Sequence, residues 1–283
     1  MQRHLPTIKK CLQENGYETQ THATTGAGSA TSAAKTAAEQ QLDLVIVAGG
    51  DGTIHEAING LAESVHRPPL GLLPFGTTND LAAALGISRN IEEACEMLGC
   101  GATIAMDIGK LNKDRYFVNI AAGGALTELT YEVPSKLKTL MGQLAYYLKG
   151  LEKLPQLRPI PMHIEYDGNI FEGEVMLYLI ANTASVGGFH KLAPKAAIND
   201  GLFDLILIKK TSVMHFVALA NAALRGEHIN DPDILYIQAS TITVLGPSSS
   251  KINLDGEFGG VLPAQFQNLH QHIQIIVPNE KNY

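Results

Sequence analysis

Apolar positions along the chain fall into two rhythms. Through the first hundred residues, short apolar runs alternate with segments of helical spacing. Residues 5–15 read as a helix ended by Gly16, and residues 17–23 alternate as a strand. Residues 27–41 are alanine-rich and helix-prone. Residues 43–48 form a β-branched apolar run that predicts a buried parallel strand, and Ile54, Ala57, Ile58 and Leu61 recur behind it at helical spacing. Residues 70–74 predict another strand and 81–85 a helix, followed by a helix over 91–98 closed by Gly99. This βαβα order predicts a parallel sheet with helices on both faces.

After about Thr103 strand-like runs dominate: 105–111, 115–121, 162–166, 171–181, 203–208, 241–245 and 272–277. Tyr166-Asp-Gly-Asn169 carries an Asp-Gly pair suited to a β-hairpin. Helical insertions fall at 136–154 and 213–224. The fold class is therefore α/β plus β. Residues 1–104 form a Rossmann-like, parallel-sheet domain, and residues 105–277 a mainly antiparallel β-sandwich. Residues 278–283 are a tail able to return to the first domain. The cleft between two closely joined domains is the default ligand site.

The most distinctive stretch lies between the strand at 43–48 and its helix: Gly49, Gly50, Asp51, Gly52 and Thr53. A strand, glycine turn and helix expose backbone N–H groups that hold phosphate oxygens. A Walker A loop is excluded, because the nearest approach, Gly71 to Thr77, has no lysine after Gly76. A dinucleotide fingerprint lacks its third glycine. An acid in the turn has the wrong charge for phosphate alone; it fits Mg²⁺ or its water, or else a cap on a sharp turn.

Composition narrows the partners. The 283 residues carry a formal net charge of −7, which argues against nucleic acid. Cys11, Cys95 and Cys100 show neither a disulfide framework nor metal spacing, which fits a reducing cytoplasm. No apolar run is long enough to span a bilayer and no signal peptide opens the chain, so membrane contact is expected to be peripheral.

Acids recur beside glycine or at strand ends: Asp51, Asp80, Asp107, Asp200, and the pair Asp255 and Glu257. Each alone suits a turn or a cap. The pair flanking Gly256 suits a tuned base or a cation site. His270 and His272 alternate, either to share a metal or to face solvent. Lys136, Lys138, Lys149, Lys153 and Arg158 surround Leu140, Leu144, Tyr146, Tyr147 and Leu151. This is either a basic, apolar surface for anionic lipid headgroups or an amphipathic helix packed on the β domain.

Four ordered motifs carry a resemblance: Gly49-Gly-Asp-Gly-Thr53, Pro74-Phe-Gly-Thr-Thr-Asn-Asp80, Asn199-Asp-Gly-Leu-Phe203 and Asp255-Gly-Glu257. With Val118-Asn-Ile-Ala-Ala-Gly-Gly124, Pro134-Ser-Lys-Leu-Lys138 and Arg225-Gly-Glu-His228, they resemble the diacylglycerol kinase catalytic family over nearly the whole chain. The likeness is closest to its soluble bacterial members. It implies transfer of the γ-phosphate of ATP to a lipid hydroxyl with Mg²⁺, converting diacylglycerol to phosphatidic acid at the membrane surface. By motif, Gly49, Gly50, Asp51, Gly52, Thr53, Gly76, Thr77, Thr78 and Asn79 would line the nucleotide site, with Glu257 beside it.

The resemblance further implies that Asp51, Asp80 and Asp107 join a water-bridged Mg²⁺ network. Asp200, with carbonyls near Ala197 and Leu202, would bind a structural Mg²⁺. Glu257 would be the general base and Asp255 its partner, and a homodimer is suggested. Two departures are expected to matter. The family opens with a strand and an Asn-Pro-x-Ser-Gly loop, whereas Met1-Gln-Arg-His-Leu-Pro6 matches the segment after that loop. The sheet would then lose a strand and expose an edge. Ala83 stands where soluble members often carry an arginine, and Arg3 is a candidate to serve the same phosphate cluster. The alternatives are a non-catalytic nucleotide- or lipid-binding relative, and a kinase of another lipid or of NAD.

Overall fold

The computed structural model describes residues 2–125, 127, 158–185, 189 and 191–279. The helix expected over 136–154, the Pro134-Ser-Lys-Leu-Lys138 motif, the lysines at 136, 138, 149 and 153 and the last four residues lie outside them.

The chain opens with α1 (Leu5–Glu14), α2 (Ser29–Glu39), β1 (Val45–Gly49), α3 (Asp51–Ala62), β2 (Leu70–Pro74), α4 (Asp80–Ala84) and α5 (Ile91–Cys100). β1 and β2 pair in parallel from Val45↔Leu70 to Gly49↔Pro74. Among the described residues β1 ends the sheet, with its residues half-buried or buried. The helices bury their apolar faces on this sheet, with Ile58, Leu61, Leu70, Leu72, Leu81 and Leu98 almost wholly enclosed. Residues 17–23 alternate in polarity but form no strand, because no strand pairs with them.

The second half contains β3 (Ala102–Leu111), β4 (Arg115–Phe117), β5 (Ile120–Gly123), β6 (Ile160–Tyr166), β7 (Asn169–Ala181) and β8 (Phe203–Lys209). It continues with α6 (Val213–Ala223), β9 (Ile234–Ala239), β10 (Thr241–Leu245), β11 (Lys251–Leu254), β12 (Glu257–Val261) and β13 (Ala264–Val277). Pairing here is antiparallel, in the order β13-β10-β6-β7-β5-β11-β12, with β8 and β9 branching from β7. The core is aromatic: Phe117 stacks on Phe203 at 5.4 Å and meets Phe266 edge-on at 6.2 Å. α6 covers Ile206 and Ile234 with Phe216 and Leu219.

β13 joins the two lobes. Its first half pairs with β10, while Ile275 pairs in parallel with Leu70 of β2. Residues 272–277, which the sequence assigns to the second domain, thus complete the first lobe's sheet, and Ile273, Ile275 and Val277 pack in its core.

Candidate active site

The glycine turn meets the loop after β2 backbone to backbone. A Cβ on Gly76 would lie 2.5 Å from the Gly50 Cα and 2.6 Å from the Asn79 Oδ1, and one on Gly50 would lie 3.1 Å from the Gly76 Cα. No side chain fits between these strand ends. The Phe75 N–H donates to the Gly49 carbonyl at 2.9 Å. Asn79, in the left-handed region at φ 54°, closes its own loop by accepting from the Gly76 N–H and donating to the Gly76 carbonyl, both at 2.8 Å.

Asp51 welds the two loops. Its Oδ2 accepts the Asn79 N–H at 2.8 Å and its Oδ1 accepts the Asp80 N–H at 2.7 Å. The acid in the glycine turn therefore caps a helix, as one sequence reading allowed, but the helix is α4 and not its own. Asp80 begins α4 directly beside this contact. A Cβ on Gly52 would meet nothing within 4 Å, so the first turn of α3 stays open on that side. Thr53 packs under Gly49, where a Cβ would meet its side chain at 2.8 Å.

Two contacts around this cradle, through Arg89 and Glu56, escape sequence reasoning. Arg89 Nη2 donates to the carbonyls of Thr77 (2.8 Å) and Thr78 (2.7 Å), so an exposed arginine six residues beyond Ala83 fastens the loop. Ala83 itself faces solvent, and the His4 ring lies 5.8 Å from Phe75, so the N-terminal segment carrying Arg3 abuts the same loop. Glu56 accepts the Gly28 and Ala30 N–H groups at 2.9 and 3.0 Å, capping α2 from α3.

The β11–β12 hairpin meets α3 from the second half of the chain. Asp255 and Gly256 form its two-residue turn at φ 49° and 93°, with Leu254 opposite Glu257. Glu257 is exposed at the mouth of β12. Asp255 points elsewhere. Its Oδ1 accepts from the N–H groups of Asn119 and Ile120, both at 2.9 Å, and its Oδ2 from Val118 at 2.7 Å. The 118–124 motif is thus a row of donors for one carboxylate. His55 Nδ1, on α3, lies 3.1 Å from the same Oδ2. One turn further along α3, Asn59 brackets Tyr116 of β4 by donating to its carbonyl and accepting its N–H, both at 3.1 Å. The Tyr116 hydroxyl donates to Glu63 at 2.9 Å. His55, Asn59 and Glu63 follow one another at intervals of four, so one stripe of α3 docks on the second lobe.

Asp107 serves a different loop. Wholly buried on β3, it accepts the Gly201 and Gln271 N–H groups, both at 2.6 Å. Burial pushes its carboxyl above the usual range, against the pull of those two bonds. Asp200 lies on this loop with Ala197 and Leu202, and its Oδ1 accepts the Leu202 N–H at 3.0 Å. Asp204, just inside β8, is buried and bonded by the Tyr236 hydroxyl; burial first, then the Asp200 charge, raises its pKa to about 6.

The structure therefore brings Asp51, Asp80 and Asn79 together, and separately Asp107 with the 199–202 loop. His270 and His272 share no ligand, since they bond the carbonyls of Asn199 and Ala62 respectively. Among the described residues, ligand atoms of three His, Cys, Asp or Glu side chains converge only at His215, Asp231 and Asp233, where ion pairs account for the contacts.

These features define a two-lobed α/β-plus-β protein with a glycine cradle on one lobe and an acid-bearing hairpin on the other. Residues 1–111 match the diacylglycerol kinase catalytic domain, and residues 126–277 match the YegS C-terminal NAD kinase beta sandwich-like domain. The chain is 55% identical to a diacylglycerol kinase of Bacillus subtilis over 280 residues, covering 99% of this chain and 92% of that one. It is 46% identical to a diacylglycerol kinase of Staphylococcus epidermidis, covering 98% and 88%. A crystal structure of a diacylglycerol kinase from Bacillus anthracis superposes with a TM-score of 0.80 at 28% identity, covering 96% and 92%. The chain belongs to the diacylglycerol kinase family.

Proposed function

We propose that this protein is a lipid kinase that transfers the γ-phosphate of ATP to the hydroxyl of diacylglycerol, giving phosphatidic acid and ADP. One observation carries the reading: a glycine-on-glycine cradle is tied through His55 and Asp255 to the hairpin that presents Glu257. Phosphoryl transfer asks for such a cradle, a cation and a base for the accepting hydroxyl.

In this reading the open first turn of α3, with Gly49 to Thr53, and the loop of Gly76, Thr77 and Thr78 hold the phosphates by backbone N–H groups and the helix dipole. Glu257 takes the proton of the diacylglycerol hydroxyl as its oxygen attacks the γ-phosphorus. The bond from that phosphorus to the bridging oxygen breaks, and ADP leaves. Asp255 holds Glu257 in place through the hairpin.

The donors fit Mg²⁺. Each Asp51 oxygen accepts one N–H and keeps a lone pair, and Asp80 adjoins it, a set of hard oxygens suited to an ion that keeps its waters. Mg²⁺ so held would neutralise charge on the phosphates. Asp107 lies apart from this set and would act by anchoring the 199–202 loop. On that loop Asp200 and the carbonyls of Ala197 and Leu202 would hold a second, structural ion. The lipid would be met at the cytoplasmic membrane surface; among the described residues no helix is long and apolar enough to cross a membrane.

Purified protein with ATP, Mg²⁺ and diacylglycerol in mixed micelles is expected to form phosphatidic acid, and to form no product with NAD as acceptor. Glu257→Gln removes a base without changing shape, so turnover is expected to fall about a hundredfold or more. Undiminished turnover in that variant would remove Glu257 from the chemistry.

A further inference from the structure

Asp51 and His55 lie one turn apart on the same face of α3, roughly 6 Å from each other. Asp51 sits in the nucleotide turn. His55 contacts Asp255 of the second lobe, two residues before Glu257. Asp255, as a carboxylate, only accepts, so the His55 Nδ1 carries the shared hydrogen. Three of the donors on Asp255 belong to its own lobe, at Val118, Asn119 and Ile120; His55 is the donor that comes from the other. The contact is shielded, with the side chains of His55 and Asp255 only 19% and 3% exposed, so it is stiffer than a surface pair.

We infer that His55 is a positioning residue: its bond to Asp255 sets the separation between the nucleotide turn and Glu257. The inference rests on the lipid-kinase reading above. It gives His55 a role distinct from general docking of α3, because Asn59 and Glu63 already hold the next two turns of the helix to Tyr116. Those bonds remain when His55 is replaced. The lobes then stay joined while the end nearest the phosphates loses its strut. Misplacing a base by an ångström costs turnover far more than substrate binding.

The test compares His55→Ala with His55→Asn. The asparagine amide nitrogen takes the place of Nδ1 and keeps the bond; alanine removes it. His55→Ala is expected to unfold only a few degrees below the parent and to lose turnover about ten- to hundredfold. KM for ATP and diacylglycerol should stay within about twofold, as uniform binding is untouched. His55→Asn is expected to recover most of the lost turnover. Backbone amides of residues 255–257 should exchange faster in His55→Ala than in the parent or His55→Asn, with those of 118–120 still protected. Unchanged kcat in folded His55→Ala, a loss that His55→Asn fails to repair, or unchanged exchange at 255–257 would each overturn the inference. A parent protein that forms no phosphatidic acid would instead overturn the lipid-kinase reading, while the exchange comparison still decides whether the strut exists.

Discussion

Gly76 shows how little room the cradle leaves. Its missing Cβ would press on the Gly50 Cα and on the Asn79 side chain that closes the loop, and the first of these is backbone that cannot swing away. Gly76→Ala is therefore expected to part the two loops, lowering stability by about 1–3 kcal/mol. It should raise KM for ATP more than it lowers kcat, since the proposed base, Glu257, lies on the β11–β12 hairpin. Thermal unfolding with ATP titration of initial rates checks both, and an unchanged KM would remove this contact from the nucleotide site. The glycines and acids of this site were legible in the sequence because their spacing is local. Their partners were not: His55 and Asp255 stand 200 residues apart, and Arg89 carries no local signal of the carbonyls it binds. The helical interval from Asp51 to His55, Asn59 and Glu63 was a readable sign that one face of α3 is polar and docked. Asp51 itself was legible as an acid in a turn, but only the structure shows the loop it caps.

At the scale of elements, two hairpins repeat one turn. Asp167-Gly168 joins β6 to β7 at φ 42° and 84°, as Asp255-Gly256 joins β11 to β12, and in neither case would a Cβ on the glycine meet anything within 4 Å. Alanine at either glycine is penalised by φ alone, about 1 kcal/mol. Gly168→Ala and Gly256→Ala are thus expected to cost similar stability in denaturant titration, while only Gly256→Ala lowers turnover, because only that turn carries Glu257. Equal turnover in the two variants would detach the hairpin from catalysis. The Asp-Gly pair at 167–168 marks its hairpin in the sequence, and strong apolar periods mark α3, β1, β2, β7 and β8 to within a few residues. The first half of β13 is hidden by glutamine, asparagine and histidine on its open face, which have the composition of loops. By contrast β9, an apolar Ile-Leu-Tyr-Ile-Gln-Ala run, has strand composition and is simply not among the runs assigned above. Gly99 is the expected helix stop, yet α5 runs through it; a Cβ there would lie 2.1 Å from the Asn15 Oδ1, the end of an exposed side chain that can turn aside.

Across the whole molecule the lobes are less separate than a change of rhythm at residue 103 suggests, because the paired β3 and β13 lie in one continuous sheet that serves both. Such a long-range pairing has no local period, and the sequence shows only its two halves. The 199–202 loop lies against this shared pair, held by Asp107 on β3 and followed by Asp204 at the start of β8. Both carboxyls are pushed upward, chiefly by burial, so here the fold works against ionisation. For Asp204 the folded value of about 6 stands above the ordinary 3.8. Between these values the folded chain keeps a proton that the unfolded chain releases. The contribution to stability is therefore complete below about pH 4 and lost as pH rises through about 6. Asp204→Asn keeps an oxygen to accept the Tyr236 hydroxyl and removes the charge. Relative to the parent it is expected to gain nothing at pH 4, to gain progressively through pH 5 and 6, and to level off near pH 7 at about 1–3 kcal/mol. Urea unfolding of both proteins across that range measures the difference. A constant offset at every pH would show that the buried carboxyl is not the group that titrates, and the Asp204–Tyr236 pair would then stabilise the fold through shape and hydrogen bonding alone.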